Sequence, residues 1–309
     1  MSRRTHPIRT RGFTLVELVV VIAVLSLLAV MLIGMTASLV TQQRYQLTRT
    51  RLANVEAALV LYASQYKRLP CPADGTLASG AANAGIENET PASVPRTCLN
   101  NQRDGVVPWR ALGLTAADIE DGWGTRFTYR VGPDLVVNTA MDFSSCDPAG
   151  GGPIPATTPP FCNPAGAQCN AATLATLCTP PATALVGSST KGIVVANAAG
   201  TPVMDPRGTA GSPVSTGAAF VLVSHGQEGG GGYSGEGILQ SSPIAAGTAE
   251  AMNFANLTYT APPALPAAAS VYLVDDAINA VGTAHFDDLI VRPAVLAVAT
   301  KAQLGPRAR

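Results

Sequence analysis

The sequence predicts an α+β chain, with one long amino-terminal helix followed by a body built on an antiparallel β-sheet with long loops. Three observations predict it. Phe13 to Val40 is apolar apart from Thr14, Glu17, Ser26, Gly34, Thr36 and Ser38, and no proline interrupts Phe13 to Leu69. Short β-branched and aromatic runs then recur between Gly, Pro and Asn clusters, which is the pattern of strands separated by turns. Charged residues make up only 13% of the chain, and Ala, Gly, Pro, Ser and Thr dominate the body, so its connections read as long and weakly charged.

The helix comes first. Leu18 to Gln43 carries no charge across 26 residues, and about 20 apolar residues suffice to cross a bilayer core. Arg3, Arg4, Arg9 and Arg11 precede it with no acid among them, and such a basic flank keeps its end cytoplasmic. Beyond Arg44 a stripe of Leu52, Val55, Leu59, Tyr62 and Tyr66 recurs at steps of three and four, one helical face that is read as core packing. Arg44, Arg49, Arg51 and Glu56 lie off that stripe. Pro70 ends the helix by pushing Leu69 out of the α region. A helix from 13 to 66 is about 80 Å long at 1.5 Å per residue.

Arg11-Gly12-Phe13-Thr14-Leu15-Val16-Glu17-Leu18, set between a basic leader and this apolar helix, resembles the class III signal of type IV pilins and type II secretion pseudopilins. The resemblance is strong over roughly residues 9 to 66. It implies a leader peptide at 1–12, cleavage between Gly12 and Phe13 by a prepilin peptidase, and N-methylation of Phe13. It further implies a pilin-like architecture: a helix over 13–69, with 13–40 in the membrane or filament core, and a periplasmic body over 70–309. In that family the carboxylate at the position of Glu17 pairs with the terminal amine of a neighbouring subunit. The physics agrees, because a charge at membrane depth costs about 2.5–3.5 kcal/mol and so needs a partner. The helix dipole favours an acid in the first turn, and the chain's own amine is one turn away. Such a pair sets register more than it adds stability. An ordinary secretory signal fits poorly: the run is too long, no A-x-A site follows, and Glu17 has no role. A plain single-pass anchor leaves Arg11-Gly12-Phe13 and Glu17 unexplained. Gly34 departs from the proline that many type IV pilins carry near that point. A glycine there serves either as a soft point, at roughly 1 kcal/mol against alanine, or as a close helix contact.

The chain has 20 basic and 20 acidic residues; removing the four leader arginines leaves 16 against 20. No basic excess remains, so nucleic acid is not an expected partner. Six cysteines, Cys71, Cys98, Cys146, Cys162, Cys169 and Cys178, all follow the apolar helix and read as disulfides on the exported side. Cys71 with Cys98 is the expected bridge tying the Gly- and Ala-rich loop of 74–95 to the helix end. The other four sit in and around an irregular insertion at about 146–190, whose residues 147–190 hold eight prolines and one charge. Disulfides are expected to order it, with connectivity left open. No C-x-x-C pair occurs, so a zinc site is not expected.

Within the body, Thr115 with Asp118 marks the start of a short helix. Asp121-Gly122-Trp123-Gly124, entering the aromatic strand Phe127 to Val131, resembles a turn of pseudopilins and favours a secretion-type member. Further strands are expected at Leu135–Asn138, Gly192–Ala196, Ala218–Ser224, Ser270–Val274 and His285–Val291. Seven of the twelve residues from 226 to 237 are glycine, without the G-K-[ST] of a phosphate-binding loop. The shape resembles the Gly-rich loop of the major pseudopilin, which helps bind calcium there. Glu228 and Glu236 are the candidate calcium ligands, with Asp275, Asp276, Asp287 and Asp288 further on. Calcium takes six to eight oxygens, and the Asp-rich run of the family loop is not matched. The plainer reading is a flexible surface loop with solvated acids and no cofactor.

His225 and His285 are isolated once His6 leaves with the leader, and no catalytic constellation stands out, so the chain does not read as an enzyme. The expectation is a minor pseudopilin of a type II secretion pseudopilus, located in the bacterial inner membrane and then in the filament. Its implied partners are other pilin or pseudopilin subunits, the prepilin peptidase, an inner-membrane assembly platform and secreted substrate. Retention of Glu17 argues against the extreme tip, whose subunit typically lacks that acid. The alternatives are a minor type IV pilin in adhesion, motility or DNA uptake, and a membrane-anchored periplasmic binding module or enzyme.

Overall fold

The computed structural model describes residues 14–90, 98–99, 104–132, 135–136, 140–141, 192–198, 201–204, 217–241, 250–254, 272–275 and 286–304, with no side-chain description for 29–38 and 272–274. Gly12, Phe13, Cys146, Cys162, Cys169, Cys178, Asp276 and His285 therefore lie outside the described residues. The chain divides into two units, Met1–Gln46 and Leu47–Arg309.

The first unit holds the start of helix α1, Leu15–Tyr66. Its large apolar side chains from Leu15 to Leu28 are 48–80% exposed, as expected of a helix that is apolar all round and has no stripe to turn inward. Among the described residues no helix is long and apolar enough to cross a membrane.

The second unit contains the rest of α1 and the body. Here the stripe works as expected: Leu52, Val55, Leu59 and Tyr62 are buried, together with Ala63. Tyr66 departs from it and is 55% exposed. It is the last residue of α1, and the next, Lys67, has φ 56°, so the chain leaves the helix there. The Tyr66 ring stacks on Tyr62, centroids 4.4 Å apart.

The body is α+β with an antiparallel sheet, as expected. Four strands, β1 (Asp104–Val106), β2 (Thr128–Val131), β5 (Phe220–Ser224) and β7 (Leu289–Val291), lie in the order β1-β2-β5-β7, every neighbour antiparallel. A three-stranded sheet has the order β4-β3-β6, from β3 (Val194–Ala196), β4 (Pro202–Met204) and β6 (Tyr272–Val274); β3 and β6 run parallel. Leu135 and Val136, expected to open a strand, form none; Leu135 instead accepts a hydrogen bond from Leu69 N–H at 2.8 Å.

Strand alternation assigns the two faces of the larger sheet. Tyr129, Val131, Phe220 and Leu222 share one face by register. Tyr129 reaches the end of α1, donating its hydroxyl to Pro70 O at 3.0 Å. Thr128, Arg130, Val221 and Val223 share the other face. Val221 and Val223 join a core with Ile193, Val195, Met204 and Ala218. With both faces covered, β2 and β5 are buried at every residue. A second helix, α2 (Val295–Lys301), follows β7 and buries Val295, Val298 and Ala299.

Candidate functional site

The amino-terminal end of α1 is built by Thr14-Leu15-Val16-Glu17. Thr14 N–H and its hydroxyl both donate to Glu17 Oε2 at 3.2 Å, and Glu17 N–H donates to Thr14 Oγ1 at 3.3 Å. That is a reciprocal capping box, which satisfies donors a helix start otherwise leaves open. It leaves the Glu17 carboxylate in the first turn of α1, at the positive end of the helix dipole. The Thr-x-x-Glu spacing was the available signal for this geometry.

The end of α1 is fixed differently. Cys71 and Cys98 form a disulfide, with Cα atoms 5.5 Å apart. Beside it the Glu87 carboxylate gathers four donors. Arg68 takes both oxygens, at 2.8 and 3.2 Å, Cys71 N–H donates at 3.0 Å, and Tyr62 OH donates to Oε1. Arg68 is almost wholly buried, so this two-pronged ion pair is what makes its burial tolerable.

The Asp121-Gly122-Trp123-Gly124 turn is organised by its first residue. Asp121 Oδ1 accepts Trp123 N–H and Thr125 N–H, both at 2.9 Å, and Oδ2 accepts the Ser224 hydroxyl at 2.9 Å. Burial pushes the Asp121 carboxyl above its ordinary range, and these hydrogen bonds oppose that. Helix α1 reads the outside of the turn. Arg51 donates to the carbonyls of Glu120 and Asp121 at 2.9 and 3.3 Å, and Gly122 N–H donates to Thr48 Oγ1 at 2.8 Å. Arg51, off the apolar stripe, and Thr48, a buried polar residue one turn before Leu52 on the stripe's own face, thus dock the helix.

Glu228 and Glu236 are both exposed. Among the described residues, no group of three or more His, Cys, Asp and Glu side chains is placed to hold a metal ion. The Gly-rich loop itself is not the loose surface loop expected, since Gly229 to Tyr233 are buried. At Gly226, φ 59°, a side chain would collide with the Asp287 carboxylate, which accepts Gln227 N–H at 2.9 Å. Glycine is needed there both for the conformation and for the close approach.

His225 is not isolated. Its Nε2 lies 2.7 Å from Thr128 Oγ1, and its Nδ1 lies 3.7 Å from Asp288 Oδ1. Asp288 Oδ2 accepts Asn253 Nδ2 at 2.6 Å. Arg130 donates to the carbonyls of Met252 and Phe254. Burial, with the nearby Arg130 charge, lowers the His225 pKa to about 3, so the imidazole is neutral and its approach to Asp288 is not an ion pair. The order hydroxyl, imidazole, carboxylate is that of a nucleophilic relay. Yet Thr128, His225 and Asp288 are 0%, 1% and 3% exposed, and a nucleophile acting on an external substrate must be reached by it. Thr128 and Arg130, polar at alternate positions of an aromatic strand, were the sequence sign that this sheet face ends in a polar cluster.

With this geometry in view, residues 8–33 match the family profile described as the prokaryotic N-terminal methylation motif. The chain therefore carries the class III signal of type IV pilins and pseudopilins at the head of α1. No curated protein and no solved structure matches the chain.

Proposed function

We propose that the chain is a minor pilin-like subunit that assembles, through α1, into a type II secretion pseudopilus. The methylation motif over 8–33 is the observation that carries this reading. The peptidase cuts between Gly12 and Phe13, residues 13–40 pass from the inner membrane into the filament core, and the body from residue 70 lies in the periplasm. Glu17 receives the methylated amine of a neighbouring subunit: Thr14 occupies Oε2, and Oε1 is the oxygen that takes it. The exposed apolar helix supplies the buried area of assembly, at roughly 25 cal/mol per Å². The work is structural, and the sealed Thr128-His225-Asp288 cluster supports that view over catalysis. The Asp-Gly-Trp-Gly turn favours a secretion fibre over an adhesive or DNA-uptake pilus.

The test is mass spectrometry of the native product together with a Glu17→Ala strain. The mature chain is expected to begin at N-methylated Phe13, and Glu17→Ala to leave stable protein that no longer enters sheared filaments. Recovery of a chain beginning at Met1 or beyond Val40 overturns the reading. Normal secretion with lost motility or DNA uptake in a deletion strain moves it to a type IV pilus.

A further inference from the structure

The Arg126 side chain is fully buried at the crossing of two loops. Its Nη1 donates to the carbonyls of Gly75 and Leu77 at 3.3 and 2.8 Å. Its Nη2 donates to Ser79 Oγ at 2.8 Å and to Gly235 O at 2.6 Å. Gly235 O also accepts Ser79 N–H at 2.8 Å. The guanidinium lies over the Trp109 ring, 5.1 Å from its centroid. Glu120 and Glu236 are the carboxylates whose charge acts on it. Around this one cation, then, stand three carbonyls and a hydroxyl, within the field of two acids.

Neutral and anionic oxygens converging between loops are also what a calcium ion requires, and the likeness to the major pseudopilin implies calcium in this Gly-rich loop. The residues here do not fit it. The guanidinium takes up the converging carbonyls, and a divalent cation placed among them would meet a positive charge at short range in a buried setting.

We propose that the Arg126 guanidinium is the resident cation of this loop. It pins the turn of residues 232–240 against the loop of 74–79, doing in this chain what a divalent metal does elsewhere. The fork of Arg is essential to the role, because a single ammonium cannot serve four acceptors spread over two loops. Gly237, φ 77°, packs on the Thr76 carbonyl and fixes the same crossing from the backbone side. What the crossing holds in place is a turn that exposes Ile238 and Leu239 to 62% and 40%.

The test is amide hydrogen exchange on the full processed chain in detergent, read at Ser79 and Gln240, with millimolar calcium chloride or with EGTA. The Ser79 amide bonds across the crossing to Gly235 O, and the Gln240 amide closes the pinned turn on Gly232 O. Equal protection in the two buffers is expected. In Arg126→Lys both amides are expected to exchange at least about tenfold faster, as local opening free energy falls. Slowing of wild-type exchange by calcium of about tenfold or more, or native protection in Arg126→Lys, overturns the proposal. Should Arg126→Lys fail to fold, Ser79→Ala removes the hydroxyl that accepts from Arg126 Nη2, together with that hydroxyl's own bond to Gly235 O at 3.0 Å. Faster exchange at Gln240 supports the proposal, and unchanged exchange there overturns it.

Discussion

Between Leu15 and Leu28 the large apolar side chains of α1 are 48–80% exposed, whereas Leu52, Val55 and Leu59 of the same helix are at most 2% exposed. The difference is one of pattern, not of hydrophobicity. The first stretch is apolar on all sides, so no single face can turn inward. The second has one apolar stripe and a polar remainder, so its partner is the body of its own chain. Polar burial follows the same division: among the described residues, every buried polar or charged side chain lies at Thr48 or later.

The sharpest way to break this comparison is one truncation made in each half. Leu59→Ala removes a wholly buried side chain and is expected to cost the body about 2–5 kcal/mol, transfer loss plus cavity. Leu25→Ala is expected to leave the body's unfolding unchanged, because Leu25 is 59% exposed. Thermal unfolding followed by near-UV circular dichroism, which reports the Trp109 and Trp123 environments, reads both. Equal destabilisation by the two variants would dissolve the distinction.

The next effect is in pH. His225 has a folded pKa of about 3 against an ordinary 6.5. Below pH 6.5 the unfolded chain takes a proton that the folded chain refuses, so stability is lost as pH falls from about 6.5 towards 3. The steepest slope is about 1.4 kcal/mol per pH unit. Asp121, held above its ordinary 3.8, has the opposite sign and regains stability as pH falls through its folded pKa. His225→Gln is expected to flatten the loss in urea titrations run across this range. Leu25→Ala is expected to keep it, because the titrating group belongs to the body.

These contrasts also mark what the residues disclosed in advance. The α1 stripe, the Thr115 capping box, the Cys71–Cys98 bridge and most strand cores were legible, because each rests on local spacing or on a short closed loop; the helix end was not, for α1 stops at Tyr66 where Lys67 turns left-handed, before Pro70 can act. Tyr66 obeys the period yet lies outside the core, since burial also needs a neighbour, and the chain turns away at Lys67. Strands β1 and β4, Asp-Gly-Val and Pro-Val-Met, open on residues that signal turns and lack the β-branched or aromatic run that marked the others. The hidden parts share a cause. Arg51 on the Asp-Gly-Trp-Gly turn, Arg126 in its carbonyl cage and His225 beside Asp288 join residues 47 to 109 positions apart, and backbone carbonyls, which every residue carries, do much of the accepting. At the amino-terminal end the opposite holds, for Thr14 and Glu17 lie one turn apart.

The smallest effect is expected where the polar side of α1 meets α2. Lys301 Nζ donates to Glu56 Oε1 at 2.6 Å, with the two side chains 58% and 22% exposed. A pair this open to water gains little Coulomb energy and fixes two long side chains, so Lys301→Ala is expected to cost no more than about 0.5 kcal/mol, less at high salt. Val298, one turn earlier on α2, is wholly buried, and Val298→Ala is expected to cost about 1.6 kcal/mol for its two lost methyl groups. Chemical denaturation of both variants at low and high salt separates the terms. If Lys301→Ala matched Val298→Ala and the loss vanished in salt, charge rather than the apolar stripe would be securing α2, and the division between the two sides of α1 would have to be drawn by electrostatics.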